Sequence, residues 1–100
     1  MATIALVGAG LVGRAWAISF ARAGHAVRIY DEAPGAAAKA LDFAASALPS
    51  LAAEDLLDGQ SVADVAGRLS VARTLEDALA GVGHVQESTP EDLELKQRVF

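Results

Sequence analysis

Six residues near the start of the chain, Gly8-Ala9-Gly10-Leu11-Val12-Gly13, have the types and spacing to hold an anion. They follow the apolar run Ile4-Ala5-Leu6-Val7 and lead into a segment of helical periodicity. An acid, Asp31, stands 18 residues after the last glycine. In such a loop the first glycine permits a tight turn out of a strand. The second, lacking a Cβ, lets the backbone come close to a pyrophosphate, and the third lets the new helix pack against the strand. The helix start adds N–H groups without intrahelical partners and a partial positive charge. An acid at this distance, closing the next strand, can accept both hydroxyl hydrogens of an adenosine ribose. A 2′-phosphate there would meet like charge, and Glu32-Ala33-Pro34 supplies no arginine to neutralise it. Asp31 also fits a turn ahead of Pro34, but its distance from the glycines favours the ribose reading. Gly8, Gly10, Gly13 and Asp31 thus predict a dinucleotide site that prefers NAD to NADP.

Other chemistry is sparse. With no cysteine, the chain has no thiol nucleophile, no disulfide and no thiolate metal site, and no metal is predicted. His25 falls in a helix-to-strand turn without an acidic neighbour, which predicts a surface turn residue. A formal net charge of −5 argues against a nucleic-acid or anionic-membrane surface. No apolar run approaches the ~18 residues of a membrane span. The uncharged N-terminus lacks a basic leader and is broken by glycines. The expectation is a soluble, cytoplasmic protein.

The elements that must position the loop follow from patterning. Thr3 to Val7 shows no polar alternation, as in a strand buried on both faces of a parallel sheet. Leu11 to Ala23 reads as a helix, with Val12, Ala15, Trp16, Ser19, Phe20 and Ala23 on one face and Gly24 after its end. His25 to Tyr30 is the second strand. Pro34 to Leu48 reads as a helix striped by Ala37, Leu41, Ala44 and Leu48, stopped by Pro49. Ser50 to Gly67 is a weaker helical stretch, broken near Asp58-Gly59, with Ser61 and Asp64 forming a cap. Leu69 to Ala72 is a third strand, and Thr74 caps a short helix that ends by Gly81. Val82 to Ser88 is a fourth strand whose C-terminal end is crowded by His84, Gln86, Glu87 and Ser88. Thr89-Pro90-Glu91-Asp92 opens another helix, in which Asp92 with Lys96 and Glu94 with Arg98 fit surface ion pairs. These elements predict an α/β Rossmann-type doubly wound parallel sheet, with strand order beginning 3-2-1-4. Residues 1–100 read as the N-terminal part of a dinucleotide-binding domain, truncated before its last strands.

Two stretches narrow the reading. Gly13-Arg14-Ala15-Trp16-Ala17 and His84-Val85-Gln86-Glu87-Ser88-Thr89-Pro90-Glu91-Asp92-Leu93-Glu94-Leu95-Lys96, with Asp31-Glu32-Ala33-Pro34-Gly35, make the chain resemble the cofactor-binding domain of the 3-hydroxyacyl-CoA dehydrogenase family. Within it, the lambda-crystallin and L-gulonate 3-dehydrogenase branch looks most similar, and bacterial carnitine dehydrogenases are similar too. The resemblance implies NAD as hydride acceptor and a 3-hydroxy acid or its CoA ester as substrate, with an L-gulonate-like acid ahead of carnitine and 3-hydroxyacyl-CoA. It implies that the backbone of Leu11 and Val12 lies on the pyrophosphate, and that Glu91 and Lys96 contact the cofactor. It also implies a second, helical domain that completes the active site and forms a homodimer. The family's catalytic histidine lies downstream and matches neither His25 nor His84, so no catalytic residue is carried over. Two rival readings remain, a non-catalytic NAD-binding protein of structural use and a different NAD(P)-binding class reusing the loop.

Overall fold

The computed structural model describes residues 2–87. The unbroken apolar run becomes strand β1 (Thr3–Val7), with Ile4, Ala5 and Leu6 buried. Helix α1 (Leu11–Arg22) leads to β2 (Ala26–Tyr30), and helix α2 (Ala36–Ala53) with the short α3 (Val62–Ala66) crosses to β3 (Leu69–Val71). Helix α4 (Leu75–Leu79) then leads to β4 (His84–Glu87). The sheet is parallel with order β3-β2-β1-β4, as expected for this class.

The core lies between the sheet and α1 and α2. Its largest fully buried side chains are Leu6, Ile29, Leu48, Leu57, Val27 and Val65, each contributing roughly 1.5–3 kcal/mol of burial. The remaining space is filled by alanines: Ala17 and Ala21 on α1, and Ala37, Ala40 and Ala44 on α2. Side chains this small let both helices lie close to the sheet and to each other.

Three expectations need correction. The face of α1 bearing Val12, Ala15, Trp16, Ser19, Phe20 and Ala23 is not the buried one, although Phe20 packs half-buried against the core. Val12 is 60% and Trp16 38% exposed, while Ala17 and Ala21 are fully buried. Spacing picked out the face carrying the large side chains, whereas a close helix–sheet contact excludes large side chains and takes Ala17 and Ala21 instead. Pro49 does not stop α2, which runs on to Ala53. A proline costs a helix one hydrogen bond and crowds the preceding turn. Fully buried Leu48 before it and half-buried Leu51 after it hold the last turns on the core. Finally, β4 starts at His84, opposite Ile4, so His84 lies at the strand's beginning rather than at its C-terminal end.

The crossover is tied to α1. Arg68 Nη1 donates to Ala21 O at 2.8 Å, and Gln60 Nε2 donates to Arg22 O at 2.9 Å, so two side chains take up carbonyls at the helix end. Arg28, from β2, donates to Asp77 O and Ala80 O beneath α4. His25 is a turn residue with a structural task. Its Nδ1 accepts the Ala2 N–H at 3.0 Å, next to the Ala26 N–H that donates to Ala2 O.

Candidate dinucleotide site

β1 and β2 end level with one another, Val7 opposite Tyr30. Gly8 turns the chain out of β1 at φ +105°, a backbone region that glycine enters without strain, and its N–H donates to Tyr30 O at 2.8 Å. Gly10 is the N-cap of α1, with extended backbone and no side-chain cap. Arg14 N–H is the one that reaches back to Gly10 O, at 2.9 Å. The N–H groups of Leu11, Val12 and Gly13 therefore have no acceptor within the helix. Gly13 is buried, as its packing task requires.

Asp31 follows β2 and bonds directly to the loop. Its Oδ2 accepts the Ala9 N–H at 2.8 Å, and its Oδ1 accepts the Ala33 N–H, also at 2.8 Å. The turn reading of this acid is realised, and the carboxylate also reaches the glycine loop. The Ala33 bond is an Asx turn ahead of Pro34, and the Ala9 bond sets the carboxylate beside the glycine loop. A carboxylate offers about four lone-pair sites, so acceptor capacity remains for two hydroxyls.

The space above Gly10 tests whether these residues suit a dinucleotide. A Cβ built there meets nothing within 4 Å, and the φ of −74° is open to any residue. Packing and backbone strain do not demand glycine at this position. The space above Gly10 is open to a ligand, and the uncapped helix start below it suits a phosphate.

The family comparison decides the assignment. Residues 3–100 match the family described as the 3-hydroxyacyl-CoA dehydrogenase NAD-binding domain. The chain belongs to this family. It is a NAD-binding domain, and the cofactor predicted from the glycines and Asp31 is the one this family binds.

Among curated relatives, the domain is 38% identical to rabbit (Oryctolagus cuniculus) lambda-crystallin, covering 97% of this chain and 31% of that protein. It is 42% identical to the L-carnitine dehydrogenase of Streptomyces griseus, over 94% of this chain and 27% of that protein. It superposes on 3-hydroxybutyryl-CoA dehydrogenase from Escherichia coli with a TM-score of 0.81 at 31% identity, covering 98% of this chain and 21% of the other. The (S)-3-hydroxybutyryl-CoA dehydrogenase of Ralstonia eutropha gives 0.79 at 28%, covering 97% and 34%. The chain spans about a third or less of these proteins.

Of the predicted site residues, the structure brings Gly8, Gly10, the Leu11 and Val12 backbone, Gly13 and Asp31 together at one edge of the sheet. Glu91 and Lys96 lie outside the described residues. One residue escaped the sequence reading as an individual. Glu87, the last residue of β4, is 4% exposed, and among the described residues it is the one buried charged side chain. The available signal was a carboxylate ending a strand that should be apolar.

Proposed function

We propose that this domain holds NAD in a dehydrogenase that oxidises the 3-hydroxyl of a 3-hydroxy acid or its CoA ester. The supporting observation is the Asp31–Ala9 hydrogen bond, which joins the ribose acid to the phosphate loop as a single unit. When bound, NAD supplies the hydride acceptor. The N–H groups of Leu11, Val12 and Gly13 orient the pyrophosphate, with Gly8 and Gly10 leaving room for it. Asp31 holds the adenosine ribose and disfavours a 2′-phosphate. Glu91 and Lys96 contact the cofactor from beyond β4.

An L-gulonate-like acid is the favoured substrate, with carnitine and 3-hydroxyacyl-CoA as alternatives. The resemblance of Gly13 to Ala17 and His84 to Lys96 to the lambda-crystallin and L-gulonate 3-dehydrogenase branch supports the first, and the likeness to L-carnitine dehydrogenase the second. The lambda-crystallin likeness also keeps open a second reading, a NAD-binding protein used for bulk rather than turnover. The parent protein is proposed to be a cytoplasmic homodimer joined through a second domain, for which residues 1–100 supply the N-terminal part of the cofactor domain.

Following NADH absorbance of the full-length protein with L-gulonate, carnitine and 3-hydroxybutyryl-CoA tests the proposal. Turnover of one of them with NAD is expected. Tight NADH binding without turnover of any 3-hydroxy compound would favour the structural reading.

A further inference from the structure

Arg14 is the first residue of α1 whose N–H bonds within the helix, to Gly10 O at 2.9 Å. At 1.5 Å per residue it lies within ~4.5 Å, along the helix axis, of Leu11, Val12 and Gly13. Its side chain is packed rather than loose in water. The guanidinium carbon stands 5.2 Å from the centre of the Phe43 ring on α2, and Nε is buried. Among the described residues no carboxylate or carbonyl is bonded to the guanidinium. The ring fixes the cation in place and leaves its charge unneutralised.

α2 supplies an internal control. Lys39 holds the corresponding position there, its N–H bonded to Gly35 O at 3.0 Å, but Lys39 is exposed to water. A base at this position is thus compatible with a helix start in general. What is particular to Arg14 is that its charge is held between two helices beside the glycine loop.

A cation in the first turn meets the positive end of the helix dipole, which is unfavourable in the fold taken alone. An anion at the helix start reverses that sign. A diphosphate brings two negative charges there, whereas backbone N–H groups answer with partial charge only. A fixed charge next to packed, water-poor surroundings also acts more strongly than one in bulk water. We propose that Arg14 is a fixed counter-charge for the diphosphate, acting through its field across the first turn of α1, and that Phe43 is the positioning residue that holds it. This rests on the reading of Gly8 to Gly13 as the diphosphate loop.

Competition against bound NADH on the full-length protein, with adenosine and ADP at low and high salt, tests the assignment. Adenosine carries the ribose but no phosphate. Arg14→Gln is expected to weaken ADP and NADH by the same factor, about fivefold at low salt and about twofold at high salt, and to leave adenosine unchanged. Arg14→Lys keeps the charge but stacks less well on a ring, so it should lose less than Arg14→Gln. Phe43→Leu should weaken ADP about twofold when Arg14 is present and cost nothing further in Arg14→Gln, a coupling that two independent structural roles would not produce. If Arg14→Gln does not fold, Phe43→Leu, at a half-exposed ring, carries the same ligand and salt comparison. Equal weakening of adenosine and ADP, a loss that salt does not diminish, or no loss at all would overturn the assignment to Arg14. Wild type that binds ADP no more tightly than adenosine would instead remove the diphosphate reading, and the proposal with it.

Discussion

Helices α1 and α4 both follow strands of one parallel sheet, yet they begin in opposite ways. α4 is finished by its own side chains. Thr74 Oγ1 accepts the Asp77 N–H at 3.0 Å, and Glu76 and Asp77 place negative charge in the first turn. The crossover helix α3 does the same with Ser61 and Asp64, also at 3.0 Å. α1 begins with glycine, has no side-chain cap and carries no acid in its first turn. A hydroxyl or carboxylate cap stabilises a helix by ~1 kcal/mol, and α1 forgoes it. α2 also starts on an uncapped glycine, Gly35, with no acid in its first turn, so what sets the start of α1 apart is the carboxylate of Asp31 bonded to the loop at Ala9 beside it.

The largest expected effect breaks that contrast by filling the open space. Gly10→Val should fold, with a melting temperature within a few degrees of wild type, because nothing lies within 4 Å of the added Cβ and the backbone is extended. NADH binding should fall by more than ~100-fold through contact with the pyrophosphate. A folded variant that binds NADH normally in a fluorescence titration would refute the assignment of this loop.

Asp31→Ala comes next and should act twice. Loss of the bonds from Ala9 and Ala33 should loosen the loop, and loss of the ribose acceptor should weaken NADH by about 1.5–3 kcal/mol. Calorimetric titration with NADH and NADPH measures this, and the variant should narrow the preference between the two.

On the structural side of the comparison, Arg68→Ala should lower stability to urea by about 1–3 kcal/mol, because it leaves the Ala21 carbonyl at the end of α1 without its cationic donor. NADH affinity, measured well below the denaturation midpoint, should be unchanged. The smallest effect sharpens the same division. Thr74→Ala should cost ~1 kcal/mol of stability by removing a cap, again without altering NADH affinity.

Much of this architecture was legible because it depends on local chemistry. The caps at Ser61 and Thr74 follow from hydroxyl residues placed three before the N–H groups they accept. The buried stripe Ala37, Ala44 and Leu48 follows from helical period, and the uniformly apolar β1 from a strand buried on both faces. Less legible was whatever depends on how closely elements approach. The large residues of α1 were the natural core candidates, yet the helix lies on the sheet through Ala17 and Ala21. Pro49 reads as a stop in any local scale, and only the anchorage of Leu48 and Leu51 carries α2 past it.

The sequence by itself determined the class of fold, the strand order and the cofactor, since each depends on residue type at a fixed separation along the chain. Tertiary structure alone decided which face of α1 is buried. It also decided that Asp31 bonds the glycine loop, and that Glu87 stands across β1 from it. Those relations join residues far apart in sequence, and strand register and packing distance, absent from any local pattern, bring them together.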